Sequence, residues 1–305
     1  MAEPPRRLSL PPGYRIPRRR PNRAQIIRRR LFALVILAAL VALLYGAVRV
    51  ALGHSSGGDS TPTGVKPFTI LFPEGFTRHD MADKIATEVH KVAGAGDVKP
   101  SRSGSAYLRL TRLSSLPGRY AGDSKPRSLE GFLFPATYDY LASTTARQLV
   151  NDQLVAFREN WHKVDLRYAR SRNLTQYDVL IIASMIEKEV QAPEERSKVA
   201  RVIYNRLHLH MYLGIDATLI YGLDLKQSQL VSHLSSPNAY NTRNHYGLPP
   251  TPIANPGLAS MQAAAHPSKG SFIYYLLKPN SNGHHYFTSS SADFVAHERL
   301  WGYIK

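Results

Sequence analysis

The chain has 305 residues, 43% of them apolar and 10% aromatic. That is a globular composition, with length for one large domain or two small ones. It contains no cysteine, which excludes disulfides, thiolate zinc sites and cysteine nucleophiles and leaves the redox compartment open. The net charge of +17 is uneven: residues 1–49 hold eleven arginines and one acid, leaving +7 for the other 256 residues.

The basic tail, "PPGYRIPRRRPNR", interleaves arginine with proline and has no helical periodicity, so it reads as a disordered segment. Residues 31–48, "LFALVILAALVALLYGAV", are eighteen consecutive uncharged and mostly apolar residues. That is about the minimum for a helix crossing a hydrocarbon core of roughly 30 Å. Ten arginines precede this run and only Arg49 follows it closely, so the positive-inside bias puts the N-terminus in the cytoplasm and residues from 54 onward outside. A cleaved signal peptide is the competing reading, but its n-region would be very long and Arg49 spoils a cleavage site. Beside a span, topology signalling and anionic lipid account for the arginines better than nucleic acid does.

The expected organisation is a basic tail (1–30), a transmembrane helix (31–53), a polar linker (54–66), a small module with a connecting region (67–128) and a main domain (129–305). The fold class is α+β. In the module, "FTILF" predicts a strand, "PEG" a turn, and Thr77 the cap of a helix with Met81, Ile85 and Val89 inward. This reads as a small module without an active site. Residues 93–128 are rich in Gly, Ser, Pro and basic residues and predict loop, with one short strand near Tyr107–Leu110. "LEGFLFPATYDY" (129–140) is aromatic with a central proline, which argues against a central strand and for a buried loop between subdomains.

Helices are expected over 145–158, from Thr175 with Asp178 in capping-box spacing, and after Pro193 with Val199, Ile203 and Leu207 inward. After residue 212, "AYNTRNHYGLPPTPIANPG" is poor helix and poor sheet, as long irregular functional stretches are. "SFIYYLLK" and "HHYFTSS" then predict a hairpin.

One helix raises a chemical question. "IIASMIEKEV" (181–190) runs apolar residues into two carboxylates. At about 100° per residue, Val179, Ile182, Ile186 and Val190 mark the buried centre, with Glu187 and Glu189 each roughly 80° to either side. A carboxyl on such a boundary is partly desolvated and can hold its proton; it can equally reach for water or for Lys188 and Arg196. Periodicity does not choose between the two acids.

Other constellations are weaker. "HERLW" (297–301) lacks the second histidine of the zinc-protease pattern, His208 and His210 face different directions on a helix, and His284 and His285 point to opposite faces of a strand. No metal site, serine-hydrolase elbow or phosphate-binding loop is expected, nor any cofactor.

In order, "LEGFLFPATY", "ASMIEKE", "ERSKVARVIYNRL", "YNT…GLPPTPIANPG" and "AAAHP…GHHYF" resemble the endolytic murein transglycosylases, from about residue 129 to 290. The resemblance implies a bitopic membrane protein with a LysM-like module before its catalytic domain. It implies lytic cleavage of the β-1,4 bond between N-acetylmuramic acid and N-acetylglucosamine, leaving a 1,6-anhydromuramyl end. It places the acid on the first glutamate of "EKE", Glu187, with Glu189 behind it or facing solvent.

Two carboxylates are the rule for glycosidases, but the chemistry the resemblance implies has the sugar's own C6 hydroxyl attack, so one acid suffices. Tyr240, Asn241 and Thr242 are the expected substrate contacts, followed by Asn205 and Tyr221, with Asp216 in support. The chain departs from the family pattern at Arg243, Thr251, Ala217, Gly214 and Phe294, which bears on subsites. Expected partners are peptidoglycan strands, the synthetic machinery and the membrane, with no nucleic acid. A scaffold that binds peptidoglycan without cutting it is the alternative, and a tethered nucleic-acid binder is the poorest reading.

Overall fold

The computed structural model describes residues 68–93, 102–112, 127–141 and 144–304, all within the compact unit Thr63–Lys305. The expected membrane span and basic tail lie outside the described residues, among which no helix is long and apolar enough to cross a membrane.

Strand β1 (Phe68–Leu71) leads through the "PEG" turn, with Gly75 at φ +79°, into helix α1 (Arg78–Ala93). Asp80 accepts from the Thr77 backbone N–H at 2.8 Å and donates its own N–H to Thr77 Oγ1 at 3.1 Å, closing the expected cap. Met81, Ile85 and Val89 are buried, as the four-residue spacing requires. The strand expected near Tyr107 is instead helix α2 (Gly104–Arg112). Tyr107 and Thr111 recur at helical spacing on its buried side, and Gly104 lets its backbone approach α1, where a Cβ would sit 2.2 Å from the Ala82 carbonyl oxygen.

The aromatic stretch begins as a buried turn, Leu129–Leu133, and then forms strand β2 (Thr137–Tyr140), antiparallel to β1 with Phe68 opposite Tyr140. The boundary expected at 128 therefore runs between two paired strands. One core joins both sides of it: Ile70, Phe72, Met81 and Ile85 pack with Leu129, Leu133, Tyr140 and Leu149.

Helix α3 (Ala146–Trp161), capped by Thr145, and the short α4 (Arg167–Ser171) lead to α5 (Gln176–Glu189). Thr175 and Asp178 form the anticipated capping box. Every residue from Val179 to Ile186 is buried, so α5 is the central helix of a second core, apolar all round. A 3-10 turn at Pro193–Glu195 starts α6 (Arg196–His208). Beyond it lie α7 (Asp216–Leu223) and α8 (Leu258–Ala265), the latter packed on α5. The anticipated hairpin, β3 (Tyr274–Leu277) with β4 (His285–Thr288), precedes α9 (Ser291–Leu300). The result is a mixed helix and strand fold.

Candidate active site

Helix α5 ends at Val190, whose φ/ψ of −91°/121° leave the helix. Glu187 and Glu189 occupy the last turn, about 200° apart, and so project to opposite sides. Glu187 turns toward the module. Its Oε2 accepts from the Gly257 backbone N–H at 2.9 Å, the Arg196 guanidinium lies 3.8 Å from Oε1, and the side chain is only 7% exposed. The "PEG" turn covers it: a Cβ on Gly75 would lie 3.5 Å from Glu187 Cγ, and Lys188 Nζ donates to the Gly75 carbonyl.

Glu189 faces the other way, into a cleft of about 1500 Å³ that Lys188 and Glu189 line and Glu187 does not. Tyr275 on β3 donates its hydroxyl to Glu189 Oε2 at 2.8 Å. Burial raises the Glu189 carboxyl above the usual carboxylate range; the Tyr275 hydrogen bond lowers it, nearby Asp216 raises it, and His285 and Arg206 lower it. Tyr275 is itself pushed well up by burial and stays a donor. Glu187, the acid the resemblance names, thus lies beside the turn that carries Glu74 and near Arg196, while Glu189 lines the cleft; both residues are partly buried.

The other anticipated residues divide in the same way. Tyr240, Tyr221 and Asp216 line the cleft. Asn241 and Thr242 do not, and both are buried. Asn241 Nδ2 donates to the carbonyls of Leu234 and Ser236, while Thr242 Oγ1 accepts from Ile215 N–H and pairs with Thr218 Oγ1. They shape the loop that presents Tyr240. Asn205 caps backbone carbonyls at Gly270 and Phe272 and is absent from the cleft lining. His285 lines the cleft and donates its backbone N–H and Nδ1 contacts to buried Glu195, at 3.0 and 2.8 Å, which ties β4 to the start of α6. Among the described residues no metal-binding cluster exists.

Sequence reasoning missed Tyr275, Arg206 and the module's own wall. Thr77 at the start of α1, His79, Asp80 and Asp83 within it and Leu108 of α2 line the cleft, so the module is part of its wall and not an appendage. It also missed Glu130, which is fully buried where the module, the aromatic turn and α7 meet. Glu130 accepts from Arg78 N–H, Asn255 Nδ2 (2.8 Å) and the Tyr221 hydroxyl (3.1 Å), and burial lifts its carboxyl to about 7 against the pull of Arg78.

A family model described as the YceG-like family matches residues 55–299. The chain belongs to the YceG-like family. Among its relatives, an endolytic murein transglycosylase of Streptococcus pneumoniae is 31% identical over 262 residues, 78% of this chain and 45% of the relative. One of Bacillus subtilis is 35% identical over 163 residues, 53% of this chain and 45% of the relative. The chain thus spans about half the length of the curated relatives it matches. A 2.6 Å crystal structure of a YceG-like protein from Listeria monocytogenes superposes with a TM-score of 0.60 at 29% identity, covering 76% of this chain and 75% of that one. At two of the positions read above as departures from the family pattern the side chains bond within the chain: Arg243 Nε donates to Asp216 Oδ1 at 2.7 Å, and Thr251 Oγ1 lies 2.8 Å from the Tyr240 hydroxyl.

Proposed function

We propose that this chain is a membrane-anchored lytic transglycosylase of peptidoglycan glycan strands, with Glu189 as its acid; Glu187, the acid the resemblance names, is the alternative that the test below decides. The observation that carries the reading is a single desolvated carboxyl, raised above its ordinary range and held by Tyr275, in a large cleft walled by tyrosines. The relatives named endolytic murein transglycosylase supply the substrate class.

Glu189 protonates the glycosidic oxygen between N-acetylmuramic acid and N-acetylglucosamine, and the C1–O bond breaks with its electrons going to that oxygen. The muramyl C6 hydroxyl then bonds C1 as Glu189, now a carboxylate, takes the C6 proton. The acid returns to its starting state and no water is consumed, so no second carboxylate is needed where a hydrolase requires one. Tyr275 stabilises the carboxylate between the two transfers, and Asp216 helps restore the protonated form.

Residues 31–48 would hold the enzyme beside the membrane with its cleft outside, where nascent strands and the machinery that makes them are its neighbours. The strand–helix–helix–strand order of residues 68–140 supports the LysM-like reading of the module.

The test is the parent protein, Glu189→Gln and Glu187→Gln, each incubated with purified peptidoglycan, with the released fragments identified by mass spectrometry. Anhydro ends are expected from the parent and from Glu187→Gln but not from Glu189→Gln. Loss confined to Glu187→Gln would return the acid to Glu187. Reducing ends would indicate hydrolysis, and binding without release a scaffold.

A further inference from the structure

Tyr212 and Tyr246 take no part in the chemistry above, yet their rings stack face to face, with centroids 4.0 Å apart and planes within 12°. They are nevertheless 41% and 63% exposed. Large exposed aromatic surface is the informative exception on a soluble protein, and it marks contact with a partner more often than a single exposed leucine does.

The pair is held in place from both sides. The segment after Tyr212 is tied to the segment before Tyr246 by Gly214 N–H to the Thr242 carbonyl and Ile215 N–H to Thr242 Oγ1, both at 2.9 Å. Beneath Tyr246, Asn244 Nδ2 donates to the Ser236 carbonyl at 3.2 Å and His245 N–H to the Asn241 carbonyl at 2.9 Å. The same two segments run into the cleft, because Gly214 and Arg243 line it. Two and three residues of chain reach at most about 7 and 11 Å, so the backbone that carries the stacked rings lies within that distance of residues lining the cleft.

We propose that Tyr212 and Tyr246 form a distal sugar-binding platform that holds the glycan strand where it leaves the cleft. The inference rests on the glycan-strand reading of that cleft and adds a subsite to it. The occupant must be continuous with the cleft's own ligand and must offer a flat face of C–H groups edged by hydroxyls. A pyranose ring has that form: its C–H face packs on an aromatic plane while its hydroxyls keep their water. Tyrosine suits the task because it offers rigid amphipathic area at small entropic cost. Stacking on such a platform makes affinity rise with strand length and favours cutting inside a strand.

Peptide-free glycan strands, one fraction long and one of tetrasaccharides, provide the probes. Binding is measured with Glu189→Gln and with the same chain carrying Tyr212→Ala and Tyr246→Ala, while cutting is measured with the parent. Long strands should bind Glu189→Gln about five- to tenfold more tightly than tetrasaccharides, as one or two aromatic contacts provide. The two alanines should narrow that advantage to below about twofold. Tyr246→Phe, which keeps the ring, should retain it.

An advantage unchanged by the alanines, one lost equally in Tyr246→Phe, or no binding of either strand would overturn the platform. If the parent cuts nothing while the alanines still abolish the length advantage, the catalytic reading fails and the platform stands. If cutting persists and the advantage is untouched, the platform alone fails.

Discussion

Glu189 has neighbours that push its carboxyl in opposite directions, so its role makes a signed prediction. The first step needs the protonated acid, and activity therefore falls as pH rises through the Glu189 pKa. The Tyr275 hydrogen bond favours the carboxylate and Asp216 disfavours it. Tyr275→Phe should move the falling limb of the kcat profile to higher pH, and Asp216→Asn should move it to lower pH. The second shift is reinforced by Arg243, which that substitution frees from its ion pair. A pH–rate series on the two variants checks this, and shifts in the same direction would remove Glu189 from the acid's role.

Glu130 makes a separate prediction about stability. Its folded-state carboxyl, near 7, lies above the ordinary 4.5 of a glutamate. The native state then holds a proton that the unfolded state releases from about pH 4.5 upward. The contribution is complete below that pH, declines as pH rises, and is lost once pH passes 7. Thermal melts should drop between pH 5 and 8 by an amount of order 3 kcal/mol in stability, from 1.36 kcal/mol per pKa unit. Glu130→Gln should flatten that slope while lowering stability at acid pH by about 1–3 kcal/mol, because its amide presents hydrogens to groups that donate.

At the scale of elements, the helices written with caps were the legible ones. Thr77, Thr145 and Thr175 each start a helix where the sequence places one, and Thr175→Ala should cost about 1 kcal/mol in a denaturation midpoint experiment. Helix α2 is illegible because its polar, Gly- and Ser-rich surroundings mask a short run whose buried positions include Tyr107 and Thr111. What fixes α2 is a close approach that no local pattern announces. Gly104→Ala should force α1 and α2 apart at Ala82, costing about 1–3 kcal/mol as overpacking does; a neutral effect would mean the two helices adjust freely.

Periodicity leaves Glu187 and Glu189 undecided for a related reason. Helical spacing gives an amphipathic helix one wet face, but Val179–Ile186 is buried on every side. Its end meets a turn from the module on one flank and a cleft on the other, which only tertiary contacts distinguish. Asn241 and Thr242 likewise sit in the recognised motif, yet their amide and hydroxyl are used up by loop carbonyls and Thr218. Residue type suited sugar, but burial assigned them to the scaffold.

At the scale of the whole molecule, the division between a module and a catalytic domain does not correspond to a division of the core. β2 has β1 as its partner, and Leu129, Leu133, Tyr140 and Leu149 fill the same core as Ile70, Phe72 and Met81. A chain beginning at residue 129 would expose that apolar set and leave β2 an unpaired edge, the kind of surface that drives aggregation. It would also uncover Glu187 and Glu130, since the "PEG" turn and Arg78 that contact them would be gone. Residues 129–305 expressed alone should therefore be largely insoluble or lack a cooperative melt, and should release no fragments from peptidoglycan, whereas residues 63–305 should melt in one transition. Adding residues 63–128 in trans should not restore the melt, because strand pairing across a chain break carries a large entropic cost that one short sheet does not offset. A soluble 129–305 fragment with a cooperative melt and residual cutting would show that the module only supports the cleft. The predicted outcome makes α1 one wall of the cleft and its apolar face part of the core that packs β2, so that the chain folds and cuts as a single unit.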